Sequence, residues 1–151
     1  MTPASDDDNP PVLPHWPEGT VLVLITTGEH PHAIPVSAAV RAGDRRVLLG
    51  LAHRRGSLAR LRRDPRAALA ITAGGDVAVT AYGTARVLDR ELVAGVAAIE
   101  VVVDEIQDHN RPTFVIESGV GWRWTDPEAG ARDAEVRRAL GRLVSLRPPP
   151  R

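Results

Sequence analysis

A long alternation of small or apolar residues runs through the middle of this chain of 151 residues. Positions 77, 79, 81, 83, 85 and 87 all carry Val, Ala or Gly, which places them on one face of a predicted strand. Pro35 has no N–H, so its strand would lie at an edge or a bulge. Because the patterns follow one another without crossover helices, we predict six or seven antiparallel strands in a closed or nearly closed barrel. Besides the long strand at 77–87, the predicted strands are 21–25, 34–40, 47–51, 67–73, 96–106 and 113–124.

Two helices are predicted beside the strands. Residues 56–63 would form a short basic helix, and residues 127–146 would form a long helix that packs an apolar stripe on the core. Asp126 can cap the first N–H groups of the long helix, and Pro127 suits its first position. The predicted fold class is therefore mainly β, with one short and one long helix.

The two ends of the chain differ in composition from the rest. Residues 1–18 contain five Pro and the run Asp-Asp-Asp, and the last five residues read Arg-Pro-Pro-Pro-Arg, which cannot continue a helix. We therefore predict a flexible leader at 1–18, one domain at 19–146 and a tail at 147–151.

Composition excludes several kinds of chemistry. All nineteen basic residues are Arg, so a lysine Schiff base and a Walker-type lysine are both excluded. The lack of Cys excludes disulfides and thiolate sites, and it is typical of a cytoplasmic protein. Nineteen acidic residues bring the net charge to zero, and no apolar run is long enough to span a membrane. Any site for an anion must therefore be local.

One segment concentrates positive charge. Residues 54–66 contain six Arg and one Asp, a local charge of +5. Ser57 stands where the N-cap of the short helix is expected, and a helix N-terminus attracts phosphate through its free N–H groups and its dipole. We interpret Arg54, Arg55 and Ser57 as a phosphate site, with Arg60 one turn later. The alternative is a solvated basic helix with an ordinary Ser cap.

The order of these segments resembles a known group of proteins. The chain has a strand, then a short basic helix with Ser-Leu-Ala-Arg-Leu-Arg-Arg-Asp-Pro-Arg at 57–66, then a strand and a hairpin. A long strand follows, whose residues 79–88 include Ala-Tyr-Gly-Thr-Ala-Arg-Val at 81–87. This order, with Gly-Trp-Arg-Trp at 121–124, is similar to that of the pyridoxamine-phosphate-oxidase-like split barrels. That superfamily binds FMN and includes the actinobacterial deazaflavin-dependent reductases. The resemblance covers roughly residues 20–145.

The resemblance implies a split β-barrel and a homodimer with two cofactor sites at the interface. The phosphate of FMN or of the deazaflavin coenzyme F-420 would lie on Arg54, Arg55 and Ser57. Many relatives have Lys at the phosphate, and this chain has only Arg, so the resemblance does not decide between the two cofactors. The ring would lie along the second and third strands, and the partner chain would contribute near Trp122 and Trp124. The residues expected to line the ring are Ile34, Val36 and Ser37.

The histidines offer further candidates. His53 stands beside the basic cluster, where it could contact the phosphate or the ring. His109 lies in a polar loop and is a candidate general acid, whereas no other catalytic residue is assigned. His30 and His32 flank a proline in a predicted turn and are interpreted as exposed loop residues, so no metal site is predicted.

Three functions are weighed on these observations. The first is an oxidoreductase whose flavin or deazaflavin exchanges a hydride with a small organic substrate, since the cofactor then performs the chemistry. The second is a non-catalytic protein that binds haem or another cofactor on the same barrel. The third, a nucleic-acid module, is disfavoured because the net charge is zero and aromatic stacking platforms are missing.

Overall fold

Seven antiparallel strands form one sheet in the computed structural model, which describes residues 9–146. The sheet order is β2-β1-β5-β6-β7-β4-β3, and the sheet curls into a half-barrel. The predicted fold class is confirmed. The strands are β1 (Leu22–Thr26), β2 (His32–Val36), β3 (Ala39–Arg41), β4 (Arg46–Ala52), β5 (Arg66–Ala73), β6 (Val77–Val93) and β7 (Val96–Asp108); the helices are α1 (Gly56–Arg63) and α2 (Pro127–Leu146).

The two edge strands of the sheet are consecutive in the chain. β2 pairs only with β1, β3 pairs only with β4, and Ser37 and Ala38 connect the two edges. The sheet must therefore curl until its two edge strands, β2 and β3, lie near each other. Because these two strands do not pair, a split remains between them. The prediction of one continuous strand at 34–40 is wrong, because the chain leaves one edge at Ser37 and joins the other at Ala39. Pro35 lies in an edge strand, as predicted.

The inner face of the sheet encloses an apolar core. The alternation that predicted β6 is confirmed, since Val77, Val79, Ala81 and Ala85 are all buried there. β6 extends beyond the prediction to Val93 and turns into β7 at Gly95, whose φ of 80° favours glycine. The other members of this core include Leu22, Leu24, Leu49, Leu58, Leu61, Leu69, Ile71, Ile99 and Ile106.

A β-bulge interrupts the pairing of β6 and β7 at Gly83, where the two backbones approach closely. The pairing register shifts between Tyr82 and Gly83, and a Cβ atom added to Gly83 would overlap the carbonyl oxygen of Val102. Only a residue without a side chain allows the two backbones to approach so closely.

Helix α2 covers the outer face of the sheet beside β4. Its bounds agree with the prediction, and Asp126 Oδ1 accepts a hydrogen bond from the N–H of Glu128 at 3.0 Å. The stripe that includes Val136 and Leu140 packs on Leu48 in a second apolar cluster. A Cβ atom on Gly50 would lie 2.8 Å from Val136 Cγ1, so glycine at this position lets the helix approach β4. Within residues 9–146, no helix is both long and apolar enough to cross a membrane.

The predicted strand at 113–124 is wrong, because the chain from 109 to 126 contains no strand. This segment passes beside the β5–β6 hairpin, where Asp76 Oδ1 accepts a hydrogen bond from the N–H of Ile116 at 2.7 Å. Both β5 and β6 already have a partner on each side, so no edge is free for a further strand there.

Part of the predicted leader contacts the barrel. Leu13 is buried, and its N–H donates to Asp44 O at 2.7 Å, while Trp16 packs against the inner core. Residues 1–8 and the tail at 147–151 lie outside the described residues. The division into leader, domain and tail stays a prediction.

A buried ion pair links three neighbouring strands on the outer face. Arg46 Nε lies 2.8 Å from Glu100 Oε2, and both side chains are less than a tenth exposed. Arg86 reaches the other carboxylate oxygen at 3.0 Å. Burial by itself would raise the pKa of Glu100, but the hydrogen bonds and charges of Arg46 and Arg86 outweigh it, so this pKa lies below its usual value.

We expect Glu100→Gln to lower the free energy of unfolding at pH 7 by about 2–3 kcal/mol, since it breaks a buried charged pair. A carboxyl whose pKa is depressed on folding stabilises the protein above its unfolded pKa of about 4.3, and the effect is lost as the pH falls through the folded pKa. Urea denaturation of the wild type and the variant should therefore show a difference that shrinks in acid. Glu105→Gln, on an exposed position of the same strand, is the control. A difference that does not change with pH would contradict this account.

Candidate functional site

A cleft of about 560 Å³ opens at the split in the barrel. Its walls come from β2 and the Ser37–Ala38 connection, from the end of β4 and the turn before α1, from the β6–β7 hairpin and from the first half of α2. This volume lies within the usual range for cofactor and small-molecule sites.

The middle of the cleft is mostly apolar. Ile34, Pro35 and Val36 line it from β2, and Leu51 lines it from β4. Trp124 closes it from the segment before α2. The structure thus brings together the two strands that were expected to line a ring, with an aromatic side chain beside them.

One end of the cleft is basic. Arg54 and Arg55 line it from the turn between β4 and α1, and both are exposed. Among residues 9–146, neither guanidinium makes an ion pair. Helix α1 begins directly afterwards at Gly56, and within residues 9–146 its N-cap residue, Arg55, makes no side-chain capping hydrogen bond. This end of the cleft therefore presents two unpaired cations and the positive end of a helix.

Ser57 does not cap the helix, so that prediction is wrong. The N-cap is Arg55, because the helix begins at Gly56 and Ser57 already belongs to the first turn. Ser57 is buried, and its Oγ has no hydrogen-bond partner within the described chain. A buried hydroxyl without a partner is costly, and Ser57 does not line the cleft that Arg54 and Arg55 line.

Arg60 does not line the cleft. A Cβ atom on Gly56 would lie 3.1 Å from Arg60 NH1, and one on Gly28 would lie 3.5 Å from its Nε. The guanidinium therefore folds back over the start of α1 toward the β1–β2 loop. Asp64, the one acidic residue of the basic segment, is paired with Arg66, whose hydrogen bond holds the pKa of Asp64 well below its usual value.

Two more cleft residues are held by the β6–β7 hairpin. His53 Nε2 lies 2.8 Å from Glu91 Oε1, with both side chains about half exposed. Arg132 lines the cleft from α2 and donates to Ala94 O at 2.6 Å. Both side chains are thus oriented by contacts just outside the cleft.

A buried carboxylate lies in the α2 wall. Asp133 Oδ1 accepts a hydrogen bond from Ser37 Oγ at 2.8 Å, and Arg137 Nε lies 3.0 Å from Asp133 Oδ2. The sequence interpretation missed Arg132 and Asp133. A signal was present for Asp133, because an acidic residue stands three positions before Val136 on the apolar stripe of α2.

Other predicted candidates lie elsewhere. Trp122 donates from Nε1 to Gly19 O at 3.0 Å and stacks edge-on against Trp124, with ring centroids 5.2 Å apart, but does not line the cleft. His109 Nε2 lies 2.7 Å from Thr80 Oγ1, also outside the cleft. Within residues 9–146, no cluster of three or more His, Cys, Asp or Glu is arranged to hold a metal ion.

Comparison with known proteins identifies the fold. No protein-family model matches the sequence, and no curated protein matches it either. A candidate pyridoxamine 5'-phosphate oxidase of Listeria innocua superimposes with a TM-score of 0.51 at 17% identity, over 61% of this chain and 90% of that one. A second such candidate, from Lactobacillus delbrueckii, gives 0.51 at 14% identity, over 58% and 84% of the two chains. HupZ of Group A Streptococcus superimposes with a TM-score of 0.54 at 10% identity, over 68% of this chain and 90% of that one. This chain therefore has the split-barrel fold of the pyridoxamine 5'-phosphate oxidase-like proteins.

Proposed function

We propose that this protein is an oxidoreductase that binds FMN or the deazaflavin coenzyme F-420 in the cleft and exchanges a hydride with a small organic substrate. The observation that carries the proposal is the pair of unpaired guanidinium groups, Arg54 and Arg55, at the start of a helix and at one end of an apolar cleft. A phosphorylated cofactor with a flat ring matches this division into a cationic end and an apolar middle.

The cationic end fits a phosphate group. Arg54 and Arg55 supply charge-assisted hydrogen bonds, and the uncapped N–H groups of α1 supply further donors. Ser57 belongs to the first turn of α1 and would contribute through its backbone N–H, since its hydroxyl is buried and does not line the cleft. These residues would hold the phosphate without needing Lys, which this chain lacks.

The apolar middle fits a flat heterocycle. When bound, a flavin or deazaflavin supplies the hydride chemistry, and the protein supplies position, electrostatics and exclusion of water. Ile34, Val36 and Trp124 provide apolar surface against which a ring can pack. The small-molecule substrate would enter from the open side of the cleft, and a cytoplasmic location completes the proposal.

We also propose that the protein is a homodimer. Large apolar side chains are exposed along one segment, including Phe114 at 44%, Val115 and Val120 at 68% each, and Trp124 at 44%. This segment has no strand pairing, and Trp124 lines the cleft. A second copy packed on it would cover apolar surface that monomers rarely expose and would bring two clefts near the interface.

We expect Val115→Glu combined with Val120→Glu to convert the dimer to a monomer, since each change would bury a charge in the interface. Sedimentation velocity of both proteins measures the effect. Leu146→Glu, at an equally exposed apolar position at the end of α2, should leave the molar mass unchanged. A monomeric wild type would contradict the dimer.

The experiment that tests the cofactor is titration of the purified protein with FMN and, in parallel, with coenzyme F-420, followed by fluorescence. Tight binding of either supports the proposal and identifies the cofactor. Haem is titrated as the alternative ligand, because His53 lines the cleft and an imidazole is a common haem ligand. In the structure His53 Nε2 contacts Glu91, so a haem iron would have to bind the other ring nitrogen or displace this contact. A haem absorption band without affinity for FMN or F-420 would overturn the proposal.

A further inference from the structure

Ser37 and Asp133 form a polar pair inside the mostly apolar part of the cleft. Ser37 lies in the connection between β2 and β3, and Asp133 lies on α2, ninety-six positions later in the chain. Their side chains meet at 2.8 Å, which links the β2–β3 connection to α2. Asp133 is nine-tenths buried, so its position is not that of an ordinary surface carboxylate.

The contacts of Asp133 decide the direction of this hydrogen bond. Ser37 Oγ donates to Asp133 Oδ1, because a carboxylate oxygen accepts hydrogen bonds, and Arg137 Nε faces the other carboxylate oxygen, Oδ2, at 3.0 Å. The proton of the Ser37 hydroxyl is therefore directed at Asp133 Oδ1. The lone pairs of Ser37 Oγ remain, and the half-buried Ser37 lines the cleft. Ser37 can thus accept a hydrogen bond from a ligand but cannot donate one.

We propose that Ser37 selects ligands that present an N–H group to this wall of the cleft, and that Asp133 is the positioning residue that orients its hydroxyl. This inference rests on the proposed function, under which the phosphate lies at Arg54 and Arg55 and the heterocycle lies in the apolar part of the cleft. In their oxidised forms, flavins and deazaflavins share one ring N–H, at N3 of the pyrimidinedione. Ser37 therefore accepts a hydrogen bond from N3–H of the bound ring.

A purely structural role makes a different prediction. If the pair only anchors α2 to the split in the barrel, removing the Ser37 hydroxyl changes stability but not the choice between ligands. Two matched pairs of probes separate these cases: FMN with 3-methyl-FMN, and coenzyme F-420 with its 3-methyl derivative. Methylation removes the N3–H donor and leaves the phosphate unchanged.

We expect the wild type to bind the unmethylated member of a pair about 10-fold more tightly, which is the usual net effect of one hydrogen bond inside a site. In Ser37→Ala the preference should fall to about one. In Asp133→Asn it should also fall, because an amide N–H can donate to Ser37 and release the hydroxyl proton toward the ligand. Ser145→Ala is the control, since that hydroxyl bonds Gly141 O on the exposed face of α2.

The outcomes separate this inference from the function on which it rests. A preference in the wild type that is lost in Ser37→Ala and in Asp133→Asn supports it. Equal binding of both members of a pair by the wild type, or an unchanged preference in Ser37→Ala, overturns the role of Ser37 and leaves the proposed cofactor standing. If none of the four probes binds the wild type, the proposed function is overturned together with this inference.

Discussion

The double substitution Arg54→Glu and Arg55→Glu is expected to weaken cofactor binding by about 100-fold or more. Each charge-assisted hydrogen bond to phosphate contributes about 1.5–3 kcal/mol, and about 1.4 kcal/mol corresponds to a factor of ten. The new carboxylates would also repel the phosphate, so the loss should exceed that of simple removal. Fluorescence titration with FMN and with coenzyme F-420 measures the change.

A matched control lies on the same helix. Arg62→Glu with Arg63→Glu makes the same change in net charge, and both positions are exposed in the last turn of α1, outside the cleft. The affinity of this variant for FMN or coenzyme F-420 should lie within about threefold of that of the wild type, because exposed charges in the last turn of the helix are largely screened by salt. Circular dichroism should show both variants folded, since none of these four side chains is buried. An equal loss of cofactor affinity in the two variants would mean that the net charge of the protein, rather than a phosphate site at Arg54 and Arg55, governs affinity.

Gly83→Ala is expected to lower the free energy of unfolding by about 4 kcal/mol or more. The added methyl group would overlap the carbonyl oxygen of Val102, which belongs to the backbone of the paired strand and cannot rotate away. Relief would require β6 and β7 to separate at the bulge, in the longest pairing of the sheet. For a chain of this size the midpoint of thermal unfolding should fall by about 10 °C or more.

The control for this substitution is Gly141→Ala. Gly141 belongs to α2, and no atom of residues 9–146 lies within 4 Å of a Cβ atom added there, so alanine should stabilise the helix by about 0.5–1 kcal/mol. The two substitutions add the same methyl group and are predicted to have opposite effects on thermal stability. A Gly83→Ala protein that unfolds at the wild-type temperature would show that the strands do not approach as closely as described.

Local patterns in the sequence were sufficient for most of the fold. The alternation through Val77 and Val79 predicted β6, the start of α2 followed from Asp126 and Pro127, and its end followed from the Pro run after Leu146, because these signals depend on neighbours a few positions away. The basic turn at Arg54 and Arg55 was predicted in the same way, and it lies at the end of the cleft.

Signals that depend on distant partners were misinterpreted. The residues at 113–124 alternate like a strand, yet the hairpin they pass has no free edge to pair with. The alternation at 34–40 continues through a point where the chain changes from one edge of the sheet to the other. A periodic pattern reports how a segment can bury side chains, but it does not report which backbone groups are available as partners.

The sequence by itself determined the strand-rich fold class, the two helices and the cationic turn before α1, because each of these follows from short-range periodicity, capping or charge. Only the tertiary structure decided that this turn, the edge of β2 and the first half of α2 share one cleft. It also placed Asp133 against Ser37 and left Ser57 buried without a partner in the described chain. The physical reason is that the sheet curls to join its own edges, and no local pattern records which residues lie on either side of the split.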